Sequence, residues 1–545
     1  MTADRVIRKI LASARGHAFK NEARGLLLEL CRIDTTQKRN PAKMRKAESA
    51  CFDILERELK ILDFLFSLER RAINPAIQNH RHFSSLQGRA VDKVYEGRSN
   101  LLCFIPGAKA RAKGSSVALN AHIDVVAPFI PPRADGDVVY GRGACDDKGP
   151  VVSMIMALKI LSHVMKETGL RWNKNVLAMF VIDEETGGNG SLSLAMDRNL
   201  KKFYDSILVG ECTGLKLYPA NRGAVWYRAE LTQPAFETSA YVIEELEKEG
   251  RAIRAESRHP LFPSRPVQTC HGMIGTFGEH PSRICGATSF TIRFRRRPAK
   301  ETEPLVRDCI ESGLHEYVGL YGDKMKILDE STGKPIVKRH YDLRRDGNGF
   351  RIDVHGASGH MGALAQRDGA ITKMAHFVRA LAASRSKLES LNGEMEMELR
   401  NADKDGPLIL EGGQGFLPTH DISEIMERLR KAAQRAAGAN VKMTYEKLHN
   451  VAFDGDPGSR AMLNALAAAK RCQAPQNKPL IGWTASCDAR LFATEYSGMN
   501  VLTFGPGKLA HAHADNEQIS LTEIRRASEI LALFLLKQTG TLNFA

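Results

Sequence analysis

Six acids and two histidines carry the chemistry open to this sequence. His122 and Asp124 lie in "NAHIDVV", directly after an apolar run; Asp146 and Asp147 are adjacent in the glycine-framed "GRGACDDKGP"; Glu184 and Glu185 close "VLAMFVIDEE"; Glu211 closes "SILVGE"; His513 lies in "AHAHADNE". Burying so many carboxylates together costs several kcal/mol per charge unless cations neutralise them. Asp, Glu and neutral imidazole form a suitable donor set for zinc-like ions, and two such ions would balance the charge. Taken singly, each motif has an ordinary explanation: "HID" as a strand-ending histidine, "DEE" as a solvated strand terminus, "DD" before Lys-Gly as a turn or helix N-cap. Their occurrence together, each at a strand end or in a loop, is what points to a metal centre.

The elements that must position them are short. "SNLLCFIPG", "SSVALNAHIDVV", "NVLAMFVIDEE" and "DSILVGECTG" read as apolar strands ended by polar or glycine-rich sequence, and "GPVVSMIMALKILSHVMKE" between them reads as a helix. Strands alternating with helices predict an α/β sheet with the acids at its strand ends. The same texture returns in "NVLTFGPG" and the final helix "LTEIRRASEILALFLLKQ", while residues 21 to 66 show helical spacing. The sheet domain is therefore expected in two parts, 1–222 and 450–545.

The stretch 223–449 differs. It predicts an inserted α+β domain, with strands at "GAVWYRAELT", "HGMIGTF", "ATSFTIRFRRR" and "KMKIL" and helices at "ETSAYVIEELEKE" and "TEPLVRDCIESGL". A similar order then recurs in "GFRIDVHG", "DGAITKMAHFVRALAAS", "PLILEGG", "SEIMERLRKAAQRAAG" and "NVKMTYEKL", so the insert is expected to be enlarged by duplication, 223–330 and 348–449.

Composition limits the partners. At 545 residues two or more domains are expected. Hydrophobic residues at 43% and charged residues at 26% are ordinary for a globular protein, and no uninterrupted apolar run reaches the ~18 residues of a membrane span. Neither a membrane partner nor a leader segment is expected from "MTADRVIRKILASARGHAFK". Ten scattered cysteines without a CxxC pair indicate reduced thiols and a cytoplasmic setting. Of the net charge of +15, residues 1–119 hold 23 Lys and Arg against 12 Asp and Glu, a surplus of 11. It is spread over aliphatic helical sequence without a nucleic-acid module, so a solvated basic face is expected and nucleic acid is not a partner.

The motifs "AHIDVV", "YGRGACDDKGP", "VIDEETGGNGS", "VGECTG", "SCDARLF" and "FGPGKLAHAHADNE" resemble the M20 metallopeptidases, dinuclear-zinc amidohydrolases that include acetylornithine deacetylase, succinyl-diaminopimelate desuccinylase, carboxypeptidase G2 and the carnosinases; "DDKGP" is closest to the carnosinase and dipeptidase branch. The resemblance implies a zinc-peptidase-like mixed sheet flanked by helices and interrupted by a lid and dimerisation domain. It implies that His122, Asp146 and Glu211 hold one zinc and His513, Asp146 and Glu185 the other, so that Asp146 bridges and Asp147 shapes the turn; cobalt or manganese would suit the same ligands. It further implies Glu184 as general base, separated from Glu185 because neighbouring strand residues point apart, and Asp124 as the partner that orients His122. Water shared by two zinc ions loses its proton near neutral pH, which fits cleavage of an amide or peptide C–N bond in a small substrate such as an N-acyl amino acid or dipeptide. The alternative is a metal-binding or regulatory protein that keeps the fold without turnover.

In the insert, "HGASGHMGALAQ" resembles the lid segment whose histidine stabilises the tetrahedral intermediate, which selects His360 over His355. That segment implies a homodimer formed through the insert. The family's lid asparagine has no match, Gly415 standing in its place, and Arg293 in "FTIRFRRRP" reads either as a ligand for a substrate carboxylate or as part of a solvated edge strand. Near the C-terminus the trailing Asp-Asn-Glu selects His513 over His511, and Cys145 and Cys212, each without a second cysteine at ligand spacing, are expected to be bystanders.

Overall fold

Five of the predicted strands line up in one mixed sheet. In the computed structural model the order is Ser67–Ala72, Ser99–Ile105, Val176–Val181, Val117–His122, Ser206–Gly210, Asn500–Phe504. The last four are mutually parallel, and the first two run antiparallel to their neighbours. Val117–His122 and Val176–Val181 are buried at every position, as central strands covered on both faces must be. The structure describes residues 2–84, 89–108, 114–232, 234–329, 332–401, 406–445, 449–496 and 498–544.

Helices cover the sheet. Lys148–Thr168 packs against the helices His17–Cys31 and Leu521–Gln538. By length and composition it could cross a membrane, but 89% of its apolar window is buried inside the protein. Register fixes what the sheet presents: His122 lies opposite Val181, Asn120 opposite Val209, and Phe504 opposite Gly210. The segments bearing His122, Glu184, Glu185 and Glu211 therefore leave the sheet at one end, the carboxyl end of its parallel strands.

The chain divides into two compact units. The first comprises Met1–Gly223, His259–Ser264 and Lys447–Ala545; the second comprises Ala224–Arg258 and Arg265–Glu446. Two sheets account for most strands of the second unit. One runs Thr269–Ile274, Leu408–Phe416, Gly223–Leu231, Val441–Thr444, backed by the helices Ala235–Glu256 and Ile422–Ala437, which pack together. The other runs Tyr341–Asp346, Gly349–His355, Ala287–Phe294, Met395–Leu399.

The pairing differs from what two consecutive units, 223–330 and 348–449, would give. Both sheets draw strands from both stretches, and the second is inserted in sequence between Thr269–Ile274 and Leu408–Phe416. "KMKIL" forms a turn in place of a strand, with Lys326 N bonded back to Asp323 O. Ala287–Phe294 is an interior strand of its sheet, not an edge.

Candidate metal centre

The strand carrying "VLAMFV" stops at Val181, and Asp183 then takes a φ of 63°, unusual for a residue with a Cβ. Arg98 Nη2 holds the Asp183 carboxylate at 2.6 Å, and Gly187 N and Gly188 N close the turn onto Glu184 O and Asp183 O at 3.0 and 2.7 Å. Glu184 and Glu185 thus lie in a turn, which corrects the expectation that strand alternation separates them. The turn itself sends them to different partners. Glu185 Oε1 lies 2.8 Å from His513 Nε2, whereas Glu184 Oε2 lies 4.0 Å from His122 Nε2.

Asp124 supports both halves of this arrangement. Its carboxylate accepts the amides of Glu184 and Glu185 at 3.1 and 3.0 Å. His122 Nδ1 contacts the main-chain oxygen of Asp124 at 3.0 Å and its Oδ1 at 3.4 Å, which leaves Nε2 to face the acids.

Asp146 sits between the two imidazoles, with Oδ1 3.2 Å from His122 Nε2 and Oδ2 3.4 Å from His513 Nε2. The Asp146–Asp147 peptide is cis. The preceding loop needs its glycines: Gly143 has φ 84°, and a Cβ there would stand 2.7 Å from Val125 Cγ1. Lys148, fully buried, anchors the other end by donating to Leu30 O and Ile33 O at 3.1 and 2.9 Å, at the end of the helix His17–Cys31.

Two sets of donor atoms converge, each within 4.8 Å: His122, Asp146, Asp147 and Glu211 in one, Asp146, Glu185 and His513 in the other. Asp146 belongs to both, and Glu184 to neither. Burial raises the carboxyls of Asp147 and Glu211 well above their ordinary range, and Asp146 adds to the effect. Burial likewise raises Glu185, against the opposing pull of His513, and raises Glu184 with help from Asp488. Burial would lower His513, but Glu185 and Asp146 outweigh it and push the imidazole up to about 9. Asp147 Oδ1 is buried without a hydrogen-bond donor among the described residues. An acid-rich cluster short of cations, with an orphaned carboxylate oxygen and one acid common to two donor sets, fits a pair of divalent ions.

Sequence reasoning missed three contributors. Asp147, expected mainly to shape the turn, also offers a donor atom to the first set. Asp488, from "SCDARLF", is buried and acts on Glu184 electrostatically. Glu517, the acid of "HADNE", accepts the Asp146 amide. Cys145 Sγ donates to Lys508 O at 3.4 Å and Cys212 Sγ to Asp146 Oδ2 at 4.0 Å, but neither thiol belongs to a donor set, and His511 is likewise outside both.

The insert residues lie in the second unit. His360 ends the short strand Gly359–His360, paired with Arg283–Ile284, and its Nδ1 accepts the Gly362 amide at 2.9 Å. His355 Nε2 is 3.0 Å from Asp342 Oδ2. Arg293 is largely exposed and lies 3.7 Å from Glu398.

Residues 118–537 match the model of peptidase family M20/M25/M40. Among curated proteins, a LysW-lysine/LysW-ornithine hydrolase of Sulfurisphaera tokodaii is 38% identical over 95 residues, 17% of this chain and 24% of that protein. A probable carboxypeptidase of Aspergillus terreus is 34% identical over 160 residues, 28% of this chain and 34% of that protein. The chain thus spans about a quarter to a third of the length of these curated relatives. Among solved structures, human carnosine dipeptidase 1 superposes with a TM-score of 0.54 at 14% identity, covering 98% of this chain and 100% of that one. A di-peptidase of Saccharomyces cerevisiae gives 0.56 at 13%, covering 99% and 98%. At such identities these two likenesses show the fold.

Proposed function

The chain belongs to peptidase family M20/M25/M40, and from that premise we propose that it hydrolyses an amide or peptide C–N bond of a small substrate, a dipeptide or N-acyl amino acid, at a centre of two divalent ions. The observation that carries this reading is the position of Asp146 in two donor sets at once, with the neighbouring Glu184 in neither. His122, Asp146, Asp147 and Glu211 would hold one ion and Asp146, Glu185 and His513 the other, zinc being the first candidate and cobalt or manganese the alternatives. When bound, such a pair supplies Lewis acidity to a carbonyl and acidity to water.

The protein's own groups do the rest. Glu184 takes a proton from the attacking water and returns it to the departing amine. Its burial and the nearby Asp488 raise its proton affinity, the direction that favours taking a proton from water. Asp124 keeps Glu184 and Glu185 apart through their amides and orients His122. His360 is the proposed donor to the developing oxyanion. Because its Nδ1 accepts the Gly362 amide, its own proton belongs on Nε2, in the form that can donate.

The names of the relatives support the bond type: a hydrolase and a probable carboxypeptidase by sequence, dipeptidases by fold. A cytoplasmic setting is in keeping with ten free, buried cysteines. A homodimer formed through the second unit is proposed from the resemblance of its His360 segment, and light scattering giving one chain's mass would remove it.

The test is a hydrolysis screen of the zinc-loaded protein against dipeptides and N-acyl amino acids, repeated with Glu184→Gln. Turnover should fall roughly 10²- to 10⁴-fold in the variant while zinc binding persists. Wild-type turnover by the variant would refute the role of Glu184, and zinc binding without hydrolysis of any substrate would favour the non-catalytic alternative.

A further inference from the structure

Glu517 lies outside both donor sets, yet it is bonded to the loop that carries Asp146. Its Oε1 accepts three main-chain amides, those of Gly143, Cys145 and Asp146, at 3.0, 3.1 and 3.1 Å. Its Oε2 accepts Arg142 Nη1 at 2.6 Å, and its main-chain oxygen accepts the Gly141 amide at 3.0 Å. Arg142 in turn donates to Pro128 O at 3.1 Å and to Ala514 O at 3.3 Å, the residue after His513. Both side chains are buried, at 0% and 1% exposure.

We infer that Glu517, neutralised by Arg142, is a positioning residue that holds Asp146 and His513 in register to share an ion. The inference rests on the reading of the centre given above. A loop that gathers three amide N–H groups onto one oxygen is stabilised most by a charged acceptor, since such hydrogen bonds are about twice as strong as neutral ones. The charge is then matched by a buried guanidinium, so Glu517 neither competes for the ions nor repels Asp146 unopposed. Far apart in sequence, "GRGACDD" and "HADNE" are joined through this one carboxylate. Asp124 does the equivalent for the Glu184–Glu185 turn, so each side of the second donor set has its own carboxylate support.

Glu517→Gln keeps the shape and one acceptor oxygen but removes the charge facing Arg142; Arg142→Lys keeps that charge and loses the fork. Glu529→Gln is the control, because Glu529 is equally buried in the final helix and pairs with Arg525 at 2.6 Å, away from the loop. Two readouts are needed: amide hydrogen exchange of the metal-free proteins, and zinc binding followed by calorimetry.

In Glu517→Gln the amides of Gly143, Cys145 and Asp146 should exchange about tenfold faster or more, and zinc affinity should fall roughly 10- to 100-fold. Arg142→Lys should fall in the same direction, and it substitutes if Glu517→Gln does not fold. Glu529→Gln should lower thermal stability and leave both readouts at the wild-type level. Equal zinc affinity in wild type and Glu517→Gln, or unchanged protection of the three amides, would overturn this inference alone. Failure of the wild-type protein to bind zinc would overturn the reading of the centre and this inference with it.

Discussion

Asp124 carries Glu185 by its main chain: Asp124 Oδ2 accepts the Glu185 amide at 3.0 Å while Oδ1 accepts that of Glu184 at 3.1 Å. Two carboxylate oxygens thus set two consecutive residues whose side chains diverge, one toward His513 and one toward His122. In Asp124→Asn one of the two acceptors becomes an NH₂ group that confronts an amide N–H. Leaving a buried donor unpaired costs about 1–3 kcal/mol. The variant should lose roughly 10- to 100-fold in affinity for an ion at the Glu185 set, with a parallel fall in kcat. Calorimetric zinc binding together with kcat and KM checks this; unchanged kcat with weakened zinc binding would confine Asp124 to the ligand side of the turn.

Ion uptake should release protons. In the metal-free protein burial raises Asp147, Glu211 and Glu185, and Glu185 with Asp146 holds His513 up to about 9. At pH 7 His513 therefore carries a proton that ligation must displace, and the upward direction at Asp147, Glu211 and Glu185 favours further release. Calorimetry of zinc binding in two buffers of different ionisation enthalpy should therefore give different apparent heats, corresponding to a net release of protons. Identical heats would show that the donors are already deprotonated before the ions arrive.

The parts of this site that could be read from sequence are those encoded by local pattern. "VALNAH" and "VLAMFV" are continuous apolar runs ending in chemistry-bearing residues, and they fold as buried parallel strands whose ends meet. Partner choice was not legible. Nothing local says that Gly223–Leu231 pairs with Leu408–Phe416, and the resulting nested sheet resembles a repeat when read as a string of elements. The further contacts of Asp147 and Glu517 were not legible for the same reason: they depend on a turn and on a segment folded from the far end of the chain.

Lys148 shows how a motif residue without chemistry can still be required. Fully buried, it donates to Leu30 O and Ile33 O at the end of the helix His17–Cys31. A cation there complements the helix dipole and satisfies carbonyls that the helix itself cannot. Lys148→Met keeps the stem and removes the donors, so it should destabilise the first unit by about 1–3 kcal/mol and lower its thermal unfolding transition. Differential scanning calorimetry checks this; an unshifted transition would mean that water replaces the ammonium without loss.

Acid sensitivity should enter through Asp137. Its Oδ2 accepts Ser520 Oγ at 2.6 Å and Thr522 N at 3.2 Å at the start of the helix Leu521–Gln538, and Lys20 Nζ lies 2.8 Å from Oδ1. Burial would raise this carboxyl, but Lys20, Ser520 and Thr522 outweigh it and hold the pKa at about 2, below the ordinary 3.8. A depressed folded-state pKa means that the unfolded chain binds the proton more readily. The stability Asp137 contributes is therefore fully present above about pH 4 and is lost as the pH falls toward 2. The carboxylate is about a third exposed, so salt should weaken the effect. Asp137→Asn should unfold more readily than wild type at pH 6, and the gap should narrow steadily between pH 4 and pH 2. Thermal unfolding of both proteins across that range is the measurement; a gap independent of pH would show that Asp137 acts through its shape and not its charge.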